Sequence, residues 1–355
     1  MRIVHVCPRF HPDVGGVETH VYEVSKRLTK HFDVDVLTTD PRGIYPSFEE
    51  IDGITVRRFK SIAPSNAYYF SIDLYRFLKK ESSNYDIVHA HNYHAFPALF
   101  AAMTKGRNKL VFTPHYHGKG HSPIRDFLHR PYKVLGNVIF EKADTVICVS
   151  KFERNLILKN FKIDLSKLFI IPNGVNLDEF KKIEKQKDEN IKIILYVGRI
   201  EKYKGLDYVV KALSYLPGNF ILEIVGKGSY KSKIVKLARN LNVVNRIRFY
   251  QDLSRDELIE KYAKANVLVL LSEYEAYGLV VAEALACKTP CIVANTSALS
   301  EWIDNRNVFG VNYPIDVNML AKLIIKTSEV EVKDIDLPTW DYAVDKLIDV
   351  YLKLN

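Results

Sequence analysis

The residues with the strongest chemical character are charged side chains that follow short apolar runs. Arg199 and Lys204, in the stretch 197–205, combine a planar guanidinium with a mobile ammonium, and such a pair suits a diphosphate group. Gly198 stands directly before them. The alternative interpretation is that both cations are solvated surface charges.

Two further stretches place glycines where a helical pattern begins. Gly15 and Gly16 are adjacent, and without Cβ atoms their backbone N–H groups can approach an anion closely. The alternative is a tight turn. Gly226 and Gly228 form a short loop after another apolar run, and for them a plain strand-to-helix turn is the favoured interpretation.

Two glutamates with seven residues between them form the most specific pattern. Glu275 precedes a helical pattern and Glu283 lies within it, so at a rise of ~1.5 Å per residue they are about 12 Å apart along the axis. The two carboxyls of a glycosidase lie about 5 Å apart in retaining enzymes and less than about 10 Å apart in inverting ones, so this pair is a poor match. The N–H groups of residues 278–280 lie between them and suit an anion. The order fits the sugar, diphosphate and ribose of one long ligand, unless Glu283 is only a charge on the helix surface.

All histidines lie within residues 1–175. His115, in the stretch 113–118 after an apolar run, suits a hydrogen bond to a sugar hydroxyl or a phosphate, and a structural histidine is the alternative. Histidines at positions 89–94, 115–117 and 121 also raise the question of a metal site. Because no cysteine accompanies them and their spacing is loose, we predict no metal there.

Short apolar runs alternate with helical patterns along the whole chain, which favours parallel sheets covered by helices on both faces. In such sheets ligands bind beyond the carboxyl ends of the strands. The predicted strands are 3–7, 34–38, 87–90, 110–113, 146–149, 169–171, 193–197, 220–225, 248–250, 267–271 and 291–294. The helices predicted in the second half are 206–216, 230–241, 256–265 and 279–287.

The division into domains follows from a charged stretch, 176–190, which has little apolar character and indicates a linker. We predict an α/β protein with two Rossmann-like parallel-sheet domains, 1–175 and 191–339, that face a central cleft. Residues 340–355 have one apolar face and form an amphipathic helix.

Composition limits the class of protein. The chain has 355 residues, a hydrophobic content of 47% and no apolar run of spanning length, and its first residues lack the pattern of a secretory signal. We therefore expect a cytoplasmic protein. The net charge of +9 is concentrated in residues 1–175, which hold 25 basic and 17 acidic residues. That basic half could meet acidic lipid, an acidic glycan or nucleic acid, or be a solvated surface.

Over nearly its whole length the chain resembles the GT-B fold glycosyltransferases of family GT4. The matching stretches, in order, are Gly15-Gly16-Val17-Glu18, Glu141-Lys142-Ala143-Asp144, Val149-Ser150, Ile171-Pro172-Asn173-Gly174-Val175, Val197-Gly198-Arg199, Lys204-Gly205, Val225-Gly226-Lys227-Gly228 and the pair Glu275 and Glu283. Two departures stand out. The family usually has Gly where this chain has Lys288, and a Gly-Gly pair where this chain has Ser297-Ala298. The second departure adds Cβ atoms near the expected donor site and so bears on the geometry of the donor sugar.

The resemblance implies a role for each matching residue. Arg199 and Lys204 neutralise the leaving diphosphate, and His115 lies near the donor sugar. Gly16 lets the backbone approach the phosphate or the sugar, and Glu283 binds the ribose diol. Glu275 and the backbone of residues 277–280 hold the donor sugar and phosphate. The predicted catalytic residues are His115, Arg199, Lys204 and Glu275. The predicted donor-binding residues are Gly15, Gly16, Gly198, Gly226, Gly228, Tyr277, Gly278, Leu279, Val280 and Glu283.

The implied activity is that of a retaining hexosyltransferase that uses a UDP- or GDP-linked sugar and acts on a hydroxyl of a glycan, a lipid-linked molecule or a small molecule. No metal, no cofactor and no nucleic-acid partner are implied. The last helix, 340–355, is expected to pack back onto the first domain, and the basic first half to touch a membrane surface if the acceptor is lipid-linked. Two other interpretations stay open, a nucleotide-sugar epimerase or phosphorylase on the same fold, and a non-catalytic basic binding protein.

Overall fold

The computed structural model describes residues 1–64, 67–118, 123–180, 190–333 and 335–354. The chain forms two compact units. The N-terminal unit comprises Met1–Asn173 and Trp340–Asn355, and the C-terminal unit comprises Gly174–Thr339. Of the predicted linker 176–190, residues 181–189 lie outside the described part of the chain.

The N-terminal unit is built on an eight-stranded sheet of order β3-β4-β2-β1-β5-β6-β7-β8. Its strands are β1 (Arg2–Val6), β2 (Asp33–Asp40), β3 (Phe48–Ile51), β4 (Ile54–Lys60), β5 (Ile87–His91), β6 (Lys109–Thr113), β7 (Thr145–Cys148) and β8 (Leu168–Ile170). All neighbours pair in parallel except β3, which is antiparallel to β4. The helices of this unit are α1 (Gly16–Leu28), α2 (Ile72–Glu81), α3 (Phe96–Met103), α4 (Pro123–Lys142), α5 (Lys151–Asn160) and, at the end of the chain, α12 (Trp340–Leu354).

The C-terminal unit is built on a six-stranded, wholly parallel sheet of order β11-β10-β9-β12-β13-β14. Its strands are β9 (Lys192–Val197), β10 (Phe220–Val225), β11 (Ile247–Tyr250), β12 (Val267–Leu270), β13 (Cys291–Ala294) and β14 (Val308–Val311). Its helices are α6 (Leu177–Phe180), α7 (Leu206–Leu213), α8 (Lys231–Asn240), α9 (Arg255–Lys264), α10 (Leu279–Ala286) and α11 (Val317–Ser328). Counted within the unit, the strand order is 3-2-1-4-5-6, the doubly wound order in which the topology reverses between the first and fourth strands.

Each unit has its own apolar core, because its parallel strands are covered on both faces. The strands β9 and β12 read as nearly continuous runs of Ile, Leu and Val, and most of their side chains are fully buried. Capping side chains stabilise the amino ends of the helices that cover the sheet. Ser254 and Glu257 form a capping box at the start of α9, and Asp316 caps α11.

The prediction of two parallel-sheet α/β domains is confirmed, with local corrections. β3 is antiparallel, and β3, β4, β14, α6 and α11 were not predicted, while α2 to α5 were expected only as unspecified helical segments between the strands. The helix predicted for 206–216 ends at Leu213, because Ser214, Tyr215 and Leu216 continue as a tighter turn before Pro217. No helix among the residues described above is both long and apolar enough to cross a membrane.

Candidate active site

The reversal of strand order in the C-terminal unit brings two loops together. One follows β9 and carries Arg199 and Lys204, and the other follows β12 and carries Glu275. The backbone N–H of Glu273 donates to the carbonyl oxygen of Tyr203 over 2.8 Å, which joins the loops directly. Parallel α/β sheets bind ligands at this type of position, beyond the carboxyl ends of the strands that flank the reversal.

Lys204 and Glu275 form an ion pair across these loops. The Nζ of Lys204 lies 2.5 Å from Oε1 of Glu275, and the two side chains are only 12% and 20% exposed. Burial lowers the pKa of Lys204, but the charge of Glu275 and contact with Tyr203 outweigh burial and raise it, so the amine stays protonated. Arg199 is exposed close by, and its positive charge reaches Lys204 and Tyr203. The two predicted cations therefore lie on one loop and act on the same groups, and Lys204 is paired with Glu275.

Ser297 fixes the backbone of Glu275 from the loop after β13. The N–H of Glu275 donates to Oγ of Ser297 over 3.1 Å, and the carbonyl of Glu275 accepts from the N–H of Ala298 over 3.3 Å. Ser297 has a φ of 50°, in the left-handed region that favours glycine. Lys288, the other departure from the family pattern, has a φ of 57°. Both departures thus fall where the backbone itself accounts for a family glycine.

Helix α10 presents its amino end beside Glu275. Gly278 is its N-cap residue and makes no side-chain cap, so the first N–H groups of the helix, at Leu279 and Val280, receive no side-chain acceptor from it. Trp302 donates from Nε1 to the carbonyl oxygen of Tyr277 over 2.8 Å and holds the turn in place. N–H groups at a helix start favour an anion, and anion binding at residues 278–280 stays a prediction from the sequence.

Glu283 lies inside α10 and is nearly buried, so the surface-charge interpretation is wrong for it. Its Oε1 accepts from Nη1 of Arg255 over 2.5 Å, and its Oε2 accepts from the hydroxyl of Tyr262 over 2.8 Å. Arg255 also donates to Glu179 over 2.9 Å. Each carboxylate oxygen keeps a second acceptor position. The arrangement is a fixed carboxylate that can still accept hydrogen bonds.

The glycines after β9 and β10 have a packing role. A Cβ on Gly226 would lie 2.0 Å from the carbonyl oxygen of Gly198, and a Cβ on Gly228 would lie 2.0 Å from that of Ile200. The N–H of Ile200 donates to the carbonyl of Lys227 over 2.8 Å in the same place. Only residues without Cβ allow the two loops to come this close, which positions Arg199.

In the N-terminal unit, Gly15 and Gly16 start α1 at the end of the loop after β1. A Cβ on Gly15 would lie 2.3 Å from Oε2 of Glu18, whereas a Cβ on Gly16 would meet no atom within 4 Å. Glu18 pairs with Arg9 over 2.5 Å, and burial raises the pKa of Glu18 although Arg9 opposes the change. The space for a ligand is therefore at Gly16, while Gly15 makes room for the carboxylate of Glu18.

His115 follows β6 and has a φ of 49°. Its Nε2 is buried without a hydrogen-bond partner among the described residues, and its ring lies against those of His20 and His91. Burial lowers the pKa of His115 well below its ordinary value, so the ring is neutral. Glu153 secures the loop, because its two carboxylate oxygens accept from the N–H groups of Tyr116 and Val149 over 2.5 and 2.7 Å.

Several residues that support the predicted ones were missed by sequence reasoning. Arg255 and Tyr262 hold Glu283, Ser297 holds Glu275, Arg9 neutralises Glu18, and Glu153 ties down the loop of His115. One signal was available for Glu153, since Ser150-x-x-Glu153 has the spacing of a capping box. The others lie far away in sequence and carry no local pattern.

The chain is similar in sequence to known glycosyltransferases along nearly its whole length. Residues 14–179 match the family profile described as Glycosyltransferase Family 4, and residues 178–334 match that of Glycosyl transferases group 1. A D-inositol 3-phosphate glycosyltransferase of Geodermatophilus obscurus is 25% identical over 98% of this chain and 87% of its own. A glycogen synthase of Mycobacterium tuberculosis is 29% identical over 91% of this chain and 85% of its own.

The fold agrees as well. The crystal structure of HepE from Anabaena, in complex with UDP and glucose, superposes with a TM-score of 0.79 at 15% identity, covering 98% of both chains. The two profiles meet where the units divide, and together they reach from the glycines of α1 to the end of the C-terminal unit. With two parallel-sheet domains and both family profiles in order, the chain belongs to family GT4 and is a glycosyltransferase of GT-B fold.

Proposed function

We propose that the protein is a retaining, metal-independent hexosyltransferase that moves a sugar from a UDP- or GDP-linked donor to a hydroxyl of a glycan, a lipid-linked molecule or a small molecule. The observation that carries the proposal is the group formed by Arg199, Lys204, Glu275 and the amino end of α10 at the reversal of the C-terminal sheet. HepE, which binds UDP and glucose, supports the nature of the donor.

The diphosphate is the group that these charges suit. Arg199 and Lys204 supply two positive charges, and the N–H groups of Leu279 and Val280 supply dipoles of the same sign. Lys204 is held by Glu275 before the donor binds, so it is already oriented when negative charge develops on the leaving group. Glu275 then remains to accept hydrogen bonds from hydroxyls of the donor sugar.

Glu283 suits the ribose of the donor. Its carboxylate is fixed by Arg255 and Tyr262, and the free acceptor positions match a pair of neighbouring hydroxyls. The contributions of Gly16 and His115, which lie in the other unit, come from the resemblance and stay predictions.

In the proposed reaction, the bond from the anomeric carbon to the diphosphate oxygen breaks while the acceptor oxygen bonds to that carbon from the same face. The proton of the acceptor hydroxyl passes to an oxygen of the leaving diphosphate. The protein contributes charge stabilisation and positioning, so neither a protein nucleophile nor a metal ion is needed.

A panel of UDP- and GDP-sugars tests this proposal. Thermal shift first identifies a stabilising donor, since only a bound ligand raises the midpoint. Turnover with a panel of acceptors in EDTA then follows, with the anomeric configuration of the product read by NMR. We expect nucleotide release that depends on the acceptor, with retention. Conversion of one nucleotide sugar into another would favour an epimerase, and salt-sensitive RNA binding without a donor would favour a binding protein.

Contact with a membrane is a separate proposal, which rests on the charge of the first half. We expect the protein to sediment with vesicles that contain acidic lipid and not with neutral vesicles. Equal sedimentation with both would contradict it.

A further inference from the structure

Five histidine rings gather in the interior of the N-terminal unit. They come from four parts of the chain: His5 on β1, His20 on α1, His89 and His91 on β5, and His115 after β6. Their ring centroids lie 4.2 to 6.0 Å from one another in the contacting pairs.

Two subsets bring ring nitrogens close enough for one ion. In His5, His89 and His91, and again in His20, His91 and His115, a nitrogen from each ring lies within 4.8 Å of the other two. Three histidines with an open fourth position form a known ligand set for zinc.

In the first subset, both ring nitrogens of His89 are already engaged in hydrogen bonds. His89 contacts the hydroxyl of Tyr351 through Nδ1 over 2.6 Å and that of Thr113 through Nε2 over 2.8 Å. An ion on His89 would have to displace one of these hydroxyls. The second subset has no such obstacle, because Nε2 of His20, Nδ1 of His91 and Nε2 of His115 are buried without a hydrogen-bond partner among the described residues.

The hydrogen bond of His20 fixes which of its nitrogens carries the lone pair. Its Nδ1 lies 2.8 Å from Oδ1 of Asn173, an oxygen that can only accept. Nδ1 therefore carries the proton, and Nε2 is left as a bare acceptor. A ligand histidine whose other N–H is held by an amide or carboxylate oxygen is the usual arrangement at metal sites.

His91 is also held through its other nitrogen, since its Nε2 lies 2.8 Å from Nδ1 of His5. In the tautomer in which Nε2 of His91 donates to His5, Nδ1 of His91 is a bare acceptor. Four imidazole nitrogens in this region are buried without a hydrogen-bond partner among the described residues: Nε2 of His5, Nε2 of His20, Nδ1 of His91 and Nε2 of His115. Burying them without a ligand costs free energy, since each one loses its hydrogen bonds to water.

We propose that His20, His91 and His115 form a binding site for one divalent transition-metal ion of the zinc type. Imidazole-only ligands suit Zn²⁺ and Co²⁺ and exclude Mg²⁺ and Ca²⁺, which require oxygen. An ion there would join α1 to the ends of β5 and β6, and would stabilise the N-terminal unit.

The charge state of the rings agrees with this site. Burial lowers the pKa of His20 to about 4 and that of His91 and His115 well below the ordinary value. The rings are neutral at physiological pH, and only a neutral imidazole binds a metal. His115 is the partly exposed member and offers a route from solvent.

Metal binding to the tag-free, full-length chain tests the proposal. After EDTA treatment and dialysis, Zn²⁺ is titrated by calorimetry and Co²⁺ by its visible absorption. We expect one ion per chain, a higher thermal midpoint with Zn²⁺, and a Co²⁺ spectrum of low coordination number. Absence of binding by the folded wild type would overturn the proposal.

Two substitutions remove one ligand atom each while keeping the neighbouring hydrogen bond. His20→Asn keeps an amide in the place of Nδ1 to donate to Asn173, and His91→Gln keeps one in the place of Nε2 beside His5. We expect affinity for Zn²⁺ to fall at least about tenfold in each. His31→Asn, at an exposed position after α1, is the matched control and should bind like the wild type.

The outcomes separate cleanly once circular dichroism has shown that a variant is folded. Loss of binding in both variants but not in the control supports the site. Unchanged binding in both, or an equal loss in the control, overturns it. Loss in His91→Gln with unchanged binding in His20→Asn would assign the ion to His5, His89 and His91 and would also contradict the proposal.

Discussion

Single residues in the candidate donor site are held in place by partners before any ligand binds. Lys204 is paired with Glu275, and Glu283 is paired with Arg255 and bonded by Tyr262. In the proposed function, the diphosphate would meet a Lys204 ammonium that is already oriented, and the ribose would meet a Glu283 carboxylate held through both of its oxygens. Such preorganisation favours charge that develops during the reaction.

Two substitutions of Ser297 test the backbone conformation assigned to this residue. Its φ of 50° disfavours any residue with a Cβ, and its hydroxyl accepts from the N–H of Glu275. Both Ser297→Ala and Ser297→Gly lose the hydrogen bond to Glu275. The alanine variant keeps the free-energy cost of holding a residue with a Cβ at a positive φ, and the glycine variant removes that cost. We expect Ser297→Gly to be more stable than Ser297→Ala by about 1 kcal/mol in urea unfolding. An alanine variant as stable as the glycine variant would contradict the assigned backbone conformation.

The types of the reactive residues could be predicted from sequence, but their partners could not. Arg199, Lys204 and Glu275 stand in short motifs after apolar runs, so their place at strand ends followed from periodicity. Arg255 is 28 residues before Glu283 and belongs to a different helix, and no local pattern connects them. The roles of the predicted residues in catalysis stay predictions until they are measured.

At the scale of elements, the amino end of α5 fixes the loop that carries His115. Ser150 caps the helix, and the buried Glu153 accepts N–H groups from Tyr116 and Val149. Burial raises the pKa of Glu153 to about 8, although both hydrogen bonds oppose the change. In the folded protein at neutral pH the carboxyl is therefore mostly protonated.

The raised pKa of Glu153 predicts that the stability of the protein depends on pH. Between about pH 4.5 and 8 the unfolded chain has released this proton and the folded chain keeps it, so the free energy of unfolding falls as pH rises. Glu153→Gln removes this effect but turns an amide N–H toward a backbone N–H. We expect the variant to be less stable than wild type at pH 5, with a gap that narrows toward pH 8 in urea unfolding. A gap that widens with pH would contradict the raised pKa, and Glu141→Gln at an exposed position serves as a control.

The sequence contains a signal for the hairpin of β3 and β4 that the prediction of strands did not use. Asp52-Gly53 joins the two strands with φ values of 49° and 77°, the conformation of a two-residue hairpin turn. β3 has only four residues and no buried one, so its apolar pattern is too weak to predict a strand. The parallel strands with continuous buried runs were predicted, whereas β4 and β14, whose buried side chains are interrupted by more exposed ones, were not.

At the scale of the whole molecule, both ends of the chain belong to the N-terminal unit. Helix α12 packs on α1 and buries Trp340, Leu347 and Tyr351. Arg27 on α1 donates to Asp341 over 3.0 Å, and the hydroxyl of Tyr351 contacts Nδ1 of His89. The end of the chain thus supports the histidine region at the first strands.

Tyr351→Phe tests this long-range connection. The change leaves Nδ1 of the buried His89 without its partner, and we expect a loss of about 1–3 kcal/mol in the free energy of unfolding. Tyr342→Phe, at a half-exposed position on the same helix, should change it by less than about 0.5 kcal/mol. Equal effects of the two substitutions would show that the contact with His89 contributes nothing.

The histidine region shows what sequence could not predict at this scale. Its members come from β1, α1, β5 and the loop after β6, so their proximity depends on strand order and not on spacing. Spacing along the chain gave no reason to expect a metal, since His20, His91 and His115 lie far apart in sequence and no cysteine accompanies them.

The central claim is that two cations on the loop after β9 stabilise a departing nucleoside diphosphate, and steady-state transfer by Lys204→Met and Arg199→Met tests it most directly. The control is Lys202→Met, which removes an exposed lysine from the same short turn. With a donor and acceptor that the wild type uses, we predict that kcat/KM falls at least about 100-fold in the first two variants and stays within about twofold in the control, with thermal midpoints that show folded protein. Near-normal transfer by folded Lys204→Met and Arg199→Met, or an equal loss in Lys202→Met, would contradict the account.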